Sequence, residues 1–239
     1  MSRFRYDLHI HSCLSPCADA DMTPCNIAGM AHLCGLELVA LTDHNAVDNC
    51  PAFFRACASY GIVPIAGAEL TTAEEIHLLC VFETLQQALA FGAALQPHRM
   101  RVKNRVAIFG EQTICDAEDR PIGQEPYFLP AATTLDLAAA VQLVEAHQGV
   151  CWPAHIDREA NGILAILGAF PPTPAFRFAE VHDASKAALA EGRTVLVCSD
   201  AHRLWELQDD APSIELPCEK GDAAAVTTAL FHWLREGSK

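Results

Sequence analysis

The sequence predicts an α/β fold in which about seven strand and helix units close into one small or distorted barrel. Three observations predict it. Short apolar runs alternate with helix-patterned stretches along the whole chain. The chain is 239 residues long and 51% hydrophobic, with a mean hydropathy of +0.16, which suits one domain with a sizeable core. Side chains able to bind metal or move a proton gather where those apolar runs end.

Strands are expected over 4–10, 36–41, 62–66, 76–82, 150–154, 176–181 and 194–198, with 213–216 as a late addition. Thr23-Pro24 reads as an N-cap followed by proline at the first helical position, and Gly35 as that helix's stop. Gly61 ends a second helix over 51–60. Leu135, Ala138, Val141, Leu143 and Val144 give 134–148 a helical apolar face, and 222–235 makes a closing helix. The whole of 1–239 is expected to form a single domain. Its least barrel-like part is an irregular or lid-like insertion near 97–130, where Arg99, Arg101, Lys103 and Arg105 alternate.

The formal net charge is −14, from 30 acidic and 16 basic residues, which disfavours a long nucleic acid as partner. A small anionic substrate escapes that objection, because bound cations dominate the field inside a site. No run of about 18 apolar residues is present and no secretory signal opens the sequence, so no membrane partner and a cytoplasmic location are expected. The 11 cysteines are an odd count in a long chain, and most read as reduced core residues.

The informative residues are the polar ones at strand ends. His9 and His11 alternate within one strand, so both imidazoles point the same way. His44, Glu69, His155 and Asp200 end other strands and converge on the C-terminal rim, where barrel active sites collect. His77 follows Glu69 too closely for a parallel crossover, so a hairpin is expected to return it to the same rim.

Asp7-Leu8-His9-Ile10-His11-Ser12, Leu41-Thr42-Asp43-His44-Asn45, Gly67-Ala68-Glu69 and Ser199-Asp200-Ala201-His202 stand in an order that resembles the PHP family (polymerase and histidinol phosphatase domains), from Tyr6 to His202. The stretch from Ser12 to Cys25, with Phe109-Gly110-Glu111-Gln112, is similar to stand-alone bacterial members. The resemblance implies a distorted (β/α)7 barrel that hydrolyses phosphate esters with two or three divalent ions, zinc, manganese or iron. It implies that His9, His11, Glu69 and Asp200 hold one ion, that Glu69 bridges to a second held by His77 and His155, and that a third sits near His44 and His202. At the third position trinuclear members carry a histidine six residues after the second motif histidine. Here that residue is Cys17, a thiolate ligand that suits zinc and disfavours harder ions.

Such ligand sets leave coordination positions at which water is activated for in-line displacement at phosphorus. Asp43 is a candidate for orienting an imidazole or handling a proton. Arg158 is the first candidate for gripping the phosphate, in a catalytic role, with Arg203, Lys186 and His182 behind it. The expected function is metal-dependent hydrolysis of a phosphate ester of a small metabolite or nucleotide. The alternatives are a 3′-to-5′ exonuclease-like phosphodiesterase and a catalytically silent metal-binding module that docks a partner.

Overall fold

The computed structural model describes residues 1–236. Its strands are β1 (Ser2–Asp7), β2 (Leu38–Leu41), β3 (Val63–Thr71), β4 (His77–Phe82), β5 (Thr113–Cys115), β6 (Pro121–Gln124), β7 (Val150–Pro153), β8 (Phe178–Val181), β9 (Thr194–Val197) and β10 (Ser213–Leu216). Its helices are α1 (Pro24–Leu33), α2 (Cys50–Ala58), α3 (Leu85–Leu95), α4 (Val106–Phe109), α5 (Leu137–Ala146), α6 (Ile163–Leu167) and α7 (Ala223–Glu236). Six strands form one curled sheet in the order β10-β1-β2-β3-β4-β7, and β8-β9 form a separate parallel pair. Backbone bonds from Ile156 N to Glu180 O (2.8 Å) and from His11 N to Ala201 O (2.9 Å) tie that pair to the two sides of the sheet. The result is a distorted α/β barrel.

Two strands depart from an all-parallel ladder: β4 runs antiparallel to β3 and β7, and β10 antiparallel to β1. The β3-β4 hairpin is the one expected from the short Glu69–His77 spacing. Gly67 is required inside it, because a Cβ there would meet Cys80 O at 2.5 Å.

The strands bury two faces. Val39, Leu41, Ala66, Ala68, Leu78, Cys80 and Phe82 pack outward against Ile27, Phe53, Phe91 and Val141 of the surrounding helices. Leu38, Ala40, Val63, Ile65, Leu79, Trp152 and Phe178 pack inward with Val226, Leu230, Phe231 and Leu234 of α7. That alternation is the period of two a strand imposes. α7 thus fills the end of the barrel away from the histidines.

The first strand is shorter than the expected 4–10, and the reason matters for the site. Phe4, Tyr6 and Leu8 belong to the inward layer, but Ile10 belongs to the outward one, so the alternation slips after Leu8. At the slip, Asp7 Oδ1 accepts bonds from His9 N (3.2 Å) and Ser199 N (3.3 Å), replacing ladder bonds. An unbroken strand would have sent His9 and His11 outward; the slip turns both inward.

Among the described residues no helix is long and apolar enough to cross a membrane. The 97–130 stretch holds α4 and the β5-β6 hairpin, and it packs on the loop after His11. Thr113 N donates to Cys13 O (2.9 Å), and a Cβ on Gly110 would meet Pro16 O at 2.6 Å.

Candidate metal centre

Glu69 lies at the middle of the rim, 1% exposed, and its two oxygens face different partners. Oε1 is 2.7 Å from His77 Nδ1, 3.0 Å from His155 Nε2 and 3.4 Å from His9 Nε2. Oε2 is 2.9 Å from His44 Nδ1 and 3.4 Å from His11 Nε2. Asp200 Oδ1 closes the group at 3.2 Å from His9 Nε2 and 3.1 Å from His11 Nε2. The ligand atoms of His11, His44 and His202 also lie within 4.8 Å of one another.

Backbone geometry aims two of these groups. His155 and Asp200 follow β7 and β9 with φ of 27° and 51°, in the left-handed region. A non-glycine residue held there costs on the order of 1–3 kcal/mol, which the surrounding contacts must offset.

Hydrogen bonds fix which ring nitrogens face the centre. Glu180 Oε1 accepts from His9 Nδ1 at 2.7 Å. The Ser15 hydroxyl spends its proton on Asp43 Oδ1 (2.7 Å), so its oxygen accepts from His11 Nδ1 (3.0 Å). His202 Nδ1 donates to the carbonyl of Asp200 (2.8 Å). In the neutral rings the Nε2 lone pairs of His9 and His11 then face each other 3.1 Å apart. Two facing lone pairs repel unless a cation lies between them. Asp200 Oδ1 and His44 Nδ1 are also buried without an aligned hydrogen bond. Several imidazole nitrogens and carboxylate oxygens converge here on one small volume, and ring nitrogens and carboxylates are the donors that divalent ions take, so the donor set fits one.

The ionisation of the chain alone carries the same message. Burial opposes charge on His11 and His44, yet Asp200 and Glu69 beside His11, and Cys17 and Glu69 beside His44, raise each to about 9. His9 is raised as well, against its burial, by Glu180, Asp200 and Glu69. Burial also opposes ionising Glu69, but His77, His9 and His44 hold its carboxyl well below the usual range. His202 goes the other way, to about 4, because it is buried and beside His11. Protons thus do part of the work of cations.

The candidates named from sequence fall into distinct places. His9, His11, His44, Glu69, His77, His155, Asp200 and His202 come together. Cys17 is exposed and lines a cavity of about 880 Å³ that also reaches Asp200 and His202. Arg158 lines the same cavity and contacts Asp200 Oδ2. His182 and Arg203 line it too, although Arg203 is held by Glu206 at 3.0 Å. Lys186 is exposed and is not among the cavity-lining residues. Asp43 accepts bonds from Ser12 N, Ser12 Oγ and Ser15 Oγ, each 2.7 Å. Its oxygens are engaged in holding the loop and reach His11 only through Ser15. No residue of 97–130 lines the cavity; that segment packs on the loop carrying Cys17 through Thr113 and Gly110.

Glu180 was not singled out from sequence. It is 1% exposed and also accepts from His155 N at 3.2 Å. The available signal was one acid at an inward position of an apolar strand, two residues after Phe178.

Residues 7–146 match the PHP domain, and the chain belongs to this family. An error-prone DNA polymerase of Symbiobacterium thermophilum is 44% identical over 161 residues, 67% of this chain and 12% of the polymerase. The lesion-specific endonuclease EndoQ of Pyrococcus furiosus superposes with a TM-score of 0.63 at 18% identity, covering 97% of this chain and 56% of that one. A Bifidobacterium adolescentis protein assigned as a metal-dependent phosphoesterase superposes with a TM-score of 0.57 at 16% identity, covering 94% and 95% of the two chains. The chain therefore spans a small part of the polymerase and about half of the endonuclease.

Proposed function

We propose that the protein hydrolyses a phosphate ester of a small metabolite or nucleotide at a centre of two or three divalent ions. His9, His11, Glu69 and Asp200 would hold one ion, and His77, His155 and Glu69 a second. His44 and His202 would hold a third. The observation that carries this reading is the convergence of His9 and His11 Nε2, 3.1 Å apart, beside Glu69 and Asp200.

Divalent ions at such a centre supply Lewis-acid activation of water and neutralise phosphoryl charge. The chain's own groups do the rest. Glu180 and Ser15 hold His9 and His11 in the tautomers that present Nε2. Arg158 stands at the cavity wall against Asp200, where its guanidinium can transfer to a phosphoryl oxygen. The cavity volume of about 880 Å³ suits a small ester, and the net charge of −14 disfavours a long polyanion.

A second reading has its own support. Arg101, Lys103 and Arg105 are exposed on the segment beside the Cys17 loop, and two relatives are named as DNA-acting proteins. A phosphodiesterase acting at the end of a strand would use that edge.

Elemental analysis of protein purified without chelator, followed by phosphate release from mononucleotides, sugar phosphates and a short oligonucleotide, tests both. About two or three ions per chain with turnover on mononucleotides or sugar phosphates, lost in Glu69→Gln, is expected. Salt-sensitive turnover confined to the oligonucleotide would move the conclusion to the second reading. Bound metal with no turnover on any substrate would replace both with a silent binding module.

A further inference from the structure

Six of the fourteen exposed large apolar side chains among residues 1–236 fall within 100–122: Met100, Val102, Val106, Ile108, Phe109 and Ile122. Scattered apolar residues need no explanation, but a contiguous patch marks an interaction surface. Contiguity is built in here. Phe128 N donates to Val102 O (2.8 Å) and Asn104 N to Pro126 O (2.9 Å), so 102–104 runs antiparallel beside the chain leaving β6. Phe109 of α4 packs on Phe128 with ring centroids 4.4 Å apart.

The same segment carries an uncovered sheet edge. Among the described residues β6 pairs with β5 alone, and all four of its residues are exposed. Thr113, opposite Gln124 in that pair, turns its N–H to Cys13 O (2.9 Å) and its carbonyl to Asn49 Nδ2 (3.0 Å). In an antiparallel ladder the opposite residue then turns both its backbone groups the other way, so Gln124 presents its N–H and carbonyl on the side away from β5. Such an edge is a template for another strand. The two ends of β6 also differ in charge. Arg101, Lys103 and Arg105, all exposed, lie beyond Gln124, and the turn before Pro121 sets Asp116, Glu118 and Asp119 against Arg120.

We propose that this face joins two copies of the chain, with β6 pairing antiparallel to β6 of the second copy about a two-fold axis near Ile122. Charge selects both the occupant and the direction. Antiparallel pairing sets the basic strip of each copy against the acidic turn of the other, whereas parallel pairing would set like against like. A two-fold contact is also self-limiting, because the same patch is used on both copies and none is left over to propagate a fibre. The interface covers exposed apolar side chains at its centre, and since no residue of 97–130 lines the cavity beside the metal centre, it leaves that cavity open.

Sedimentation velocity of the full chain is the test. The expected species has twice the 25.8 kDa of one chain, with a dissociation constant that rises with salt. Ile122→Glu and, separately, Ile108→Glu should each raise that constant at least about tenfold, because each puts a charge into the apolar centre. Both positions are exposed, at 66% and 57%, so the fold is kept, as an unchanged circular dichroism spectrum will verify. Lys103→Glu should weaken the dimer by setting an acid against the partner's acidic turn. A single species of 25.8 kDa at concentrations up to about 100 μM, where a dimer of micromolar affinity would have formed, overturns the proposal. A dimer that persists in both glutamate variants overturns this surface and places the contact elsewhere. An oligonucleotide bound by a monomeric chain and released by Lys103→Glu overturns it too, and assigns the strip to the phosphodiesterase reading.

Discussion

The two ends of this barrel are built from the same strands and do opposite things. At one end Phe4, Val63, Ile214 and Leu216 meet Val226, Phe231 and Leu234 of α7 in a purely apolar plug. At the other, inward positions of the same strands carry Glu69, His77 and Glu180, joined by His9, His11, His155 and Asp200 from the segments that follow. The difference teaches where stability and chemistry are kept. The plug stabilises through area removed from water, whereas the rim gathers histidines and carboxylates whose charge states depend on one another.

Damage to the plug should have the largest effect on stability and none on the centre. Phe231 is fully buried, and Phe231→Ala should destabilise the chain by about 3–5 kcal/mol. Denaturant unfolding measures this, and elemental analysis should find the metal content of the folded fraction unchanged. A loss of metal at constant fold would mean that the two ends are coupled.

Glu180 is the link between the ends, since it stands above Phe178 and beneath His9. Glu180→Gln keeps an acceptor for His9 Nδ1 but removes the charge. Metal affinity should fall about 10–100-fold, as is usual for partners of ligating histidines, with little change in Tm of the metal-free protein. Competition with a chelator of known affinity reads this directly, and an unchanged affinity would remove Glu180 from the centre.

The smallest effect is one of pH. His11 and His44, raised to about 9 from an ordinary 6.5, contribute stability that is complete below 6.5 and drains away as the pH climbs through 9. His202, lowered to about 4, opposes folding below 6.5, and the depressed carboxyls of Glu69 and Asp200 lose their contribution in acid. The metal-free Tm should therefore peak near pH 6.5 and decline toward 9. Zinc affinity should rise over that range, because ions displace those same protons. A flat metal-free Tm between pH 6.5 and 9 would show that the rim does not hold them.

The rim was more legible in the sequence than its supports. Motif histidines fall at strand ends whatever the exact boundaries, and the short Glu69–His77 spacing left only a hairpin. What sequence could not show was the slip after Leu8, because Phe4 to Ile10 reads as one uninterrupted alternation. Glu180 was hidden for a related reason: its role depends on which face of β8 turns inward, and that is decided by packing against β7 and β9. Arg203 and Lys186 show what spacing leaves open: Arg203 lines the cavity while paired with Glu206, and Lys186 lies on an exposed segment after β8.

The cavity beside the centre is walled on its far side by Asp183 and Ala184 after β8, and by Gln208, Asp210, Ala211 and Pro212 before β10. None of these residues belongs to the ligand set. A molecule hydrolysed here would present its phosphate to the rim and its remaining part to these two short stretches. On the proposed function, these stretches would meet the part of the substrate that the metal ligands do not, so exchanging them between relatives would change what is cleaved without changing how.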